Sequence, residues 1–160
     1  QGYLTLATGT PFYLDLAMNL VLSLKLNDPT RPVCIVTDRT MPIPESYRPF
    51  IDHMAYLEDK PGFHGCLNKL RMNEVSPFAE TMFVDSDCIL LKNDMDRHWE
   101  KFQSPGFCSP GSKVTSGRWY GFDIAEVIKK LGIDYMRTLN SGVFYFRQGA
   151  QSDHFFATAI

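Results

Sequence analysis

The sequence predicts an α/β fold in which helices cover both faces of a mostly parallel central sheet. Two observations lead to this prediction. The chain opens in the order strand, helix, strand, at 3–8, 13–26 and 32–37, and the second strand is continuously apolar, as in sheets that are buried on both faces. A further apolar strand at 81–84 then meets the acidic sequence Asp85-Ser86-Asp87, so polar side chains stand at the end of a buried strand.

Turn and breaker residues set the ends of the first three elements. Strand 3–8 stops at Gly9-Thr10-Pro11, and helix 13–26 has apolar residues at helical spacing before Asn27-Asp28-Pro29 ends it. Strand 32–37 ends in a polar pair of residues. The order of these elements is typical of nucleotide-binding folds, which bind their ligands at the carboxyl ends of the strands.

The later elements are predicted from the same signals. Pro77 disfavours helical geometry in the residue before it, and Gly132 is expected to stop a helix in the left-handed conformation. In chain order, the further predictions are a strand near 53–57, a helix over 68–76, the strand over 81–84 with its apolar pattern resuming at 88–91, a mobile or binding loop over 103–120, a helix over 122–131, a strand over 143–146 and a helix over 152–160.

Composition narrows the class of protein. The 160 residues are 44% hydrophobic and 21% charged, which is typical of one soluble globular domain. A formal net charge of −2 leaves no basic excess for a nucleic acid partner, and polar residues interrupt the longest apolar stretch, at 14–26, so we expect no membrane span in this chain. The four cysteines form no C-x-x-C pair, which argues against a zinc ribbon or a redox pair. Three of them lie in apolar runs, so we interpret the cysteines as buried thiols in a reducing compartment rather than as disulfides, and we expect a cytoplasmic protein.

The most informative feature is the pair of carboxylates in Asp85-Ser86-Asp87. Two carboxylates at the end of a buried strand are costly to desolvate unless a positive charge lies between them, and a divalent cation such as Mg²⁺ or Mn²⁺ supplies that charge. A D-x-D sequence alone occurs often in surface turns. Apolar segments on both sides of it, at 81–84 and 88–91, favour the metal interpretation here.

Three further features are candidates for a ligand site, and the first two of them have a plainer alternative. Lys69, on the helix before strand 81–84, has a mobile ammonium suited to phosphate, but it is equally typical of a solvated helix face. Asn140-Ser141-Gly142 offers an amide, a hydroxyl and a close backbone approach, although an ordinary turn has the same composition. Ala7-Thr8-Gly9 lies at the carboxyl end of the first strand, where an open α/β sheet ordinarily binds a nucleotide. Neither a G-x-G-x-x-G motif nor a P-loop is present.

These segments together resemble a known family. Thr5-Leu6-Ala7-Thr8 with Tyr13, then Asn68-Lys69-Leu70, then the run 82–91 and finally the run 139–144 are similar to GT-A glycosyltransferases of family 8, in the glycogenin-like and galactinol-synthase-like branch. The resemblance implies a GT-A Rossmann-like three-layer sandwich with a mostly parallel central sheet.

The resemblance also implies a role for each matched residue, with UDP-sugar as the donor. It assigns Leu6, Ala7, Thr8 and Tyr13 to uracil and ribose, Ser86 to the ribose, Lys69 to the diphosphate or sugar, Asn140, Ser141 and Gly142 to the donor-sugar pocket, and Asp85 and Asp87 to a Mn²⁺ (or Mg²⁺) ion that bridges the diphosphate. No catalytic residue follows from it.

The activity implied is a metal-dependent, retaining transfer of a sugar to an acceptor hydroxyl on a saccharide, polyol or protein. The family's third metal ligand, a histidine in a C-terminal motif, has no match, because His154 lacks that context. We therefore expect residues 1–160 to form a single nucleotide-sugar-binding GT-A domain that lacks the acceptor and third-ligand region.

Two alternatives remain open. The first is a non-catalytic nucleotide-sugar-binding domain or fragment, and the absence of the histidine motif favours it. The second is a haloacid-dehalogenase-like phosphatase, which also binds Mg²⁺ through D-x-D after an apolar strand. In that class the motif lies near the start of the domain and is followed by Thr or Val, whereas here it lies in mid-chain and is followed by Cys88.

Overall fold

A computed structural model describes residues 1–102 and 106–159. The chain divides into two compact units: a larger unit formed by Gln1–Cys108 with Gly142–Ile160, and a smaller unit formed by Ser109–Ser141. Whether the chain acts as the single predicted domain stays a prediction. No helix in the described part combines the length and the apolar character needed to cross a bilayer.

Strands and helices alternate in the first part of the chain, whereas four short strands follow one another directly between residues 107 and 123. The strands are β1 (Gly2–Ala7), β2 (Val33–Thr37), β3 (His53–Tyr56), β4 (Glu80–Val84), β5 (Phe107–Cys108), β6 (Gly111–Val114), β7 (Arg118–Trp119), β8 (Phe122–Asp123), β9 (Met136–Leu139) and β10 (Val143–Arg147). The helices are α1 (Pro11–Asn27), α2 (Met72–Val75), α3 (Met95–Phe102), α4 (Ile124–Leu131) and α5 (Ala150–Thr158), with 3-10 helices at Arg48–Phe50 and Gly65–Arg71.

The larger unit is built on a six-stranded sheet in the order β3-β2-β1-β4-β10-β5. Strands β3, β2, β1 and β4 are parallel, and β10 runs antiparallel to both of its neighbours, β4 and β5. Five strands therefore share one direction, which confirms the predicted α/β class with a mostly parallel sheet.

Side chains alternate between the two faces of the sheet, and each face has its own core. On one face, Tyr3 and Ile35 pack with Leu14 and Val21 of α1. On the other face, Phe83 packs with side chains from other helices and strands, namely Leu4, Val36, Met72 of α2, Phe144 and Phe156 of α5. The sheet is thus the middle layer of three, as the sequence predicts.

One predicted strand is wrong. The apolar run at 88–91 does not continue the sheet, because the chain turns after β4: the Cys88 N–H donates to the Asp85 carbonyl at 3.0 Å. The run then lies along α1, where the Leu90 N–H donates to Ser23 Oγ at 3.0 Å and Asn27 Nδ2 donates to the Leu90 carbonyl at 2.9 Å. The two carboxylates therefore do not have the buried strand on both sides that the sequence predicts. A strand precedes them, and an irregular segment follows them.

The helix predicted over 68–76 is also different in kind. Its first part belongs to the 3-10 helix Gly65–Arg71, and only the single turn of α2 is α-helical. Pro77 explains the end, since Ser76 before it adopts an extended conformation with φ −67° and ψ 128°.

The C-terminal helix differs in its bounds. It begins at Ala150 rather than 152 and ends at Thr158, and residue 160 lies outside the described residues.

The smaller unit contains two short antiparallel pairs, β6 with β9 and β7 with β8, and α4 lies between β8 and β9 in the chain. The loop predicted over 103–120 therefore contains β5, β6 and β7, and its residues 103–105 lie outside the described part of the chain. Helix α4 begins where the Asp123 side chain accepts a hydrogen bond from the Glu126 N–H at 3.2 Å, and it ends at Gly132, whose φ of 63° confirms the predicted stop.

Candidate functional site

A cleft of about 230 Å³ opens in the larger unit at the carboxyl ends of β1 and β4. Seven of the eleven residues predicted from the sequence to bind donor or metal line it, from four separate segments of the chain. The lining residues are Leu6, Thr8, Tyr13, Lys69, Asp85, Ser86 and Asp87, together with Leu16, Gly65 and Cys66, which the sequence analysis did not select.

The first wall of the cleft is the junction between β1 and α1. Leu6 and Thr8 are partly exposed there, and Tyr13 in the first turn of α1 exposes 46% of its surface. Ala7 between them is fully buried on the α1 face and does not line the cleft, because neighbouring residues of a strand point to opposite faces. A ligand in the cleft would therefore contact Leu6 and Thr8 but not the Ala7 side chain.

The end of strand β2 also carries a carboxylate, and this carboxylate stabilises the β1 wall. Asp38 follows β2, and its carboxylate accepts a hydrogen bond from the Gly9 N–H at 2.6 Å. Gly9 has a φ of 89°, a conformation that favours glycine, so the turn after β1 depends on this residue. Asp38 is not among the residues predicted from the sequence, although it is an acid at the end of an apolar strand, as Asp85 is.

The second wall is the end of β4. The Asp85 N–H donates to the Gly142 carbonyl at 2.8 Å, one residue beyond the antiparallel pair of Val84 with Val143. The Cys88 N–H then closes the turn onto the Asp85 carbonyl. The backbone on both sides of the two carboxylates is therefore fixed by hydrogen bonds, and both Asp85 and Asp87 line the cleft.

Lys69 supplies the positive charge at this wall. Its Nζ lies 2.7 Å from Oδ1 and 2.8 Å from Oδ2 of Asp85, so the ammonium contacts both carboxylate oxygens. The two side chains are only 16% and 27% exposed, and Nζ also lies 5.8 Å from the centre of the Phe83 ring. Asp87 differs, because it is exposed and no cation of the described residues lies within 4 Å of its carboxylate.

Two cysteines lie beside these charges. Burial raises the pKa of the Cys88 thiol, and the neighbouring Asp87 and Asp85 carboxylates raise it further, so this thiol is neutral at physiological pH. Cys66 is exposed, so the expectation of buried thiols is wrong for this residue, and only Cys34 is fully buried among the four cysteines. Cys66 lines the cleft three residues before Lys69, on the same 3-10 helix. The spacing of three residues was the available signal for Cys66, since it places both side chains on one face of such a helix.

The ligand chemistry of the site is that of hard oxygen donors. Within residues 1–102 and 106–159, no group of three or more His, Cys, Asp or Glu side chains is placed to hold a metal ion. Asp85 and Asp87 are therefore the donors that the cleft offers. One or two carboxylates are what proteins usually contribute to a Mg²⁺ ion whose remaining ligands are phosphate oxygens and water, so the residues fit such an ion.

The segment Asn140-Ser141-Gly142 spans the boundary of the two units. Gly142 belongs to the larger unit, where its carbonyl binds the Asp85 N–H. Asn140 and Ser141 belong to the smaller unit, where the Asn140 N–H donates to the Pro110 carbonyl at 2.9 Å and the Asn140 carbonyl accepts from Ser109 Oγ at 2.8 Å. Their predicted role beside a donor sugar stays a prediction.

Comparison with solved structures identifies the fold. The chain is similar to the galactosyltransferase LgtC in complex with donor and acceptor sugar analogs, with 13% identity and a TM-score of 0.63 over 92% of this chain and 58% of that chain. It is similar to the glycosyltransferase GlyE of Streptococcus pneumoniae, with 13% identity and a TM-score of 0.57 over 100% of this chain and 36% of that one. It is also similar to residues 1–349 of S. aureus TarS, with 16% identity and a TM-score of 0.50 over 99% and 55%.

These likenesses confirm the fold class: the chain has the GT-A fold, a mixed α/β sandwich with a mostly parallel central sheet. The chain spans between about a third and three fifths of the length of these three structures, 36% to 58%. No family model and no curated protein matches the sequence. At 13% to 16% identity, these similarities identify the fold and do not distinguish family 8 among the proteins that share it.

Proposed function

We propose that the cleft binds a nucleoside diphosphate sugar, with UDP as the nucleotide, and that the chain is the donor-binding core of a family 8-like glycosyltransferase. The observation that carries this proposal is the meeting of Lys69, Asp85 and Asp87 with the end of β1 in one cleft of a GT-A fold. A pair of carboxylates and an ammonium beside a strand-end pocket suits a ligand with a nucleoside at one end and a charged diphosphate at the other.

The nucleoside would lie against the β1 wall. Leu6 and Thr8 offer an apolar surface and a hydroxyl, and the half-exposed Tyr13 ring offers a stacking surface for a base. Ser86, between the two carboxylates in the chain, has a hydroxyl that would reach the ribose. This arrangement assigns the uracil and ribose to the same residues as the family resemblance, except for the buried Ala7.

The diphosphate would lie at the β4 wall. When bound by Asp85 and Asp87, a Mn²⁺ or Mg²⁺ ion supplies positive charge that stabilises the departing diphosphate. Lys69 contributes a second positive charge on the same wall. The family resemblance assigns Asn140, Ser141 and Gly142 to the transferred sugar. The acceptor is a hydroxyl of a saccharide, polyol or protein that attacks the anomeric carbon, with retention of configuration, and no catalytic residue is assigned.

Four unpaired cysteines fit a reducing, cytoplasmic location.

A second candidate is a module that binds the nucleotide sugar without turning it over. The observation in its favour is that, among the described residues, no group of three or more His, Cys, Asp or Glu side chains is placed to hold a metal ion. The phosphatase alternative gains no such support, because the carboxylates follow β4, the fourth strand in chain order, and not the first.

Calorimetry with UDP-glucose and UDP-galactose, each with and without Mn²⁺, tests the proposed function. We expect the wild type to bind at least one donor, with Mn²⁺ increasing the affinity at least about tenfold, which is about 1.4 kcal/mol. Asp85→Ala and Asp87→Ala should lose the effect of Mn²⁺ while their circular dichroism stays unchanged. Asp94→Ala, which removes an exposed carboxylate a few residues along the chain, is the matched control and should bind as the wild type does.

Affinity that is equal in all four proteins would refute the site. Release of UDP, measured in parallel with an added saccharide acceptor, separates the two candidates. Release that Asp87→Ala abolishes supports the transferase, and binding without release supports the binding module.

A further inference from the structure

The ion pair between Lys69 and Asp85 occupies the atoms that the proposed cation needs. The ammonium contacts both Asp85 oxygens, at 2.7 and 2.8 Å, and little of either side chain reaches solvent. The positive charge that the buried strand end requires is therefore already present within the protein. In contrast, Asp87 remains exposed, with no cation of the described chain beside it.

An ammonium and a divalent cation compete for Asp85. Both are attracted to the same two oxygens, and their mutual repulsion is strong at contact distance in a partly shielded site. The ion alone would have to displace Lys69 into a place where no other carboxylate holds it, since Asp85 is the only partner within 4 Å of Nζ among the described residues. Metal binding without an anion is thus opposed by the loss of this ion pair.

A diphosphate changes this balance. Its oxygens are charge-assisted hydrogen-bond acceptors, and the long, flexible lysine stem allows Nζ to move from Asp85 to a phosphate lying in the same cleft. The carboxylate that Lys69 leaves is then free for the cation, and no charge is left without a partner. The exchange needs only a side-chain movement, because two hydrogen bonds hold the Asp85 backbone in place: its N–H donates to the Gly142 carbonyl, and its carbonyl accepts from the Cys88 N–H.

We propose that Lys69 makes metal binding conditional on the nucleotide: it holds Asp85 in the empty cleft and releases it to the cation only when a diphosphate offers a replacement acceptor. This inference rests on the proposed function and concerns the regulation of the same site. By linkage, the nucleotide increases the affinity for the metal by the same factor as the metal increases the affinity for the nucleotide. The role of Lys69 is positional, so its loss affects this coupling and not only the affinity for the donor.

Mn²⁺ binding to the purified protein, followed by the electron paramagnetic resonance signal of the free ion, tests this inference. The titration is made with and without saturating UDP, for the wild type and for Lys69→Met, which keeps the apolar stem and removes the ammonium. We expect weak Mn²⁺ binding to the wild type alone and binding at least about tenfold tighter with UDP. Lys69→Met should bind Mn²⁺ alone at least about tenfold more tightly than the wild type, and UDP should add a smaller factor.

Lys92→Met is the control, because it removes one exposed lysine charge close to the motif in sequence and should behave as the wild type does. Thermal unfolding verifies that each variant is folded, and Lys69→Gln replaces Lys69→Met if the latter is not. Tight Mn²⁺ binding to the wild type with UDP, together with unchanged binding of Mn²⁺ alone by the Lys69 variant, overturns this inference and leaves the proposed function standing. Absence of Mn²⁺ binding in every protein, with and without UDP, overturns both.

Discussion

Removing the Lys69–Asp85 ion pair should measurably destabilise the folded protein even without ligand. The perturbation is a double-mutant cycle of Lys69→Met, Asp85→Asn and the two together, which isolates the interaction between the two side chains from their other contacts. At the observed 2.7 to 2.8 Å, two unit charges in an effective dielectric of 20 attract each other by about 6 kcal/mol before desolvation. Most of this attraction is offset by the loss of hydration on folding.

The burial of the pair determines what remains. Fully exposed pairs contribute about 0 to 1 kcal/mol, and removing one partner of a buried pair costs about 3 to 5 kcal/mol. Lys69 and Asp85 are 16% and 27% exposed, so we expect a coupling free energy of about 1 to 2 kcal/mol. Urea unfolding of the four proteins, without metal or nucleotide, measures this value.

A second ion pair in the same chain serves as the control. Arg39 Nε and Glu58 Oε1 lie 2.8 Å apart, almost the same distance, but their side chains are 66% and 71% exposed. The corresponding cycle of Arg39→Met and Glu58→Gln should give a coupling below about 0.5 kcal/mol. A Lys69–Asp85 coupling no larger than that of Arg39–Glu58 would refute the conclusion that Lys69 holds Asp85 in the empty cleft.

Three further results are expected. Tyr3→Phe should lower the free energy of unfolding by about 2 kcal/mol in urea, because it removes the buried hydroxyl that donates to Asp28 at 2.5 Å and bonds to charged groups are the stronger ones. Burial opposes ionisation of Asp52, but hydrogen bonds, led by that from Lys25, outweigh burial and lower the carboxyl pKa below its ordinary value. The ionised carboxylate therefore stabilises the fold above the ordinary pKa, and this stabilisation is lost as the pH falls through the lower pKa of the folded state. Asp52→Asn should be less stable than the wild type at neutral pH, and its melting temperature should fall less in acid. Cys66 should react with a thiol reagent in the free protein, and UDP with Mn²⁺ should slow the reaction because the thiol lines the cleft.

Each of these results has its own control. Tyr120→Phe alters an 87% exposed residue and should change stability by less than about 0.5 kcal/mol. Asp94→Asn removes an exposed carboxylate and should leave the acid dependence as in the wild type. Cys66→Ser should remove the fast-reacting thiol, whereas Cys34, whose pKa burial raises to about 12, should stay unreactive in the folded state. Equal effects of the test and control variants would contradict the corresponding prediction.

Much of the larger unit could be predicted because its signals are local. The apolar run of β2 required burial on both faces and therefore a parallel sheet, and the turn residues at Gly9 and Pro29 marked both ends of α1 within a few residues. Gly132 stopped α4 as expected because only a residue without a Cβ adopts its φ of 63° without strain. Thr8 and Asp85 each follow a predicted parallel strand, which is sufficient to place both at the same edge of the sheet.

The remaining features depend on contacts that no local pattern contains. The run 88–91 is apolar, but hydrogen bonds from α1 side chains hold it outside the sheet. Strand β10 runs antiparallel to β4, and its own five residues contain no signal for that direction. Helix α3 was not predicted, because most of its residues are polar and Trp99 is the one residue of the helix that is buried. The sequence placed Lys69 near the carboxylates, and only the structure shows that it pairs with both oxygens of Asp85.

The most direct test of a metal-assisted donor site is a crystal structure of the protein with UDP and Mn²⁺, with diffraction recorded at the manganese absorption edge. We predict one anomalous peak about 2.2 Å from carboxylate oxygens of both Asp85 and Asp87, with the diphosphate on its other side and Lys69 Nζ on a phosphate oxygen. A manganese peak elsewhere, or UDP bound in the cleft with the Lys69–Asp85 pair intact and no metal on Asp87, would contradict it.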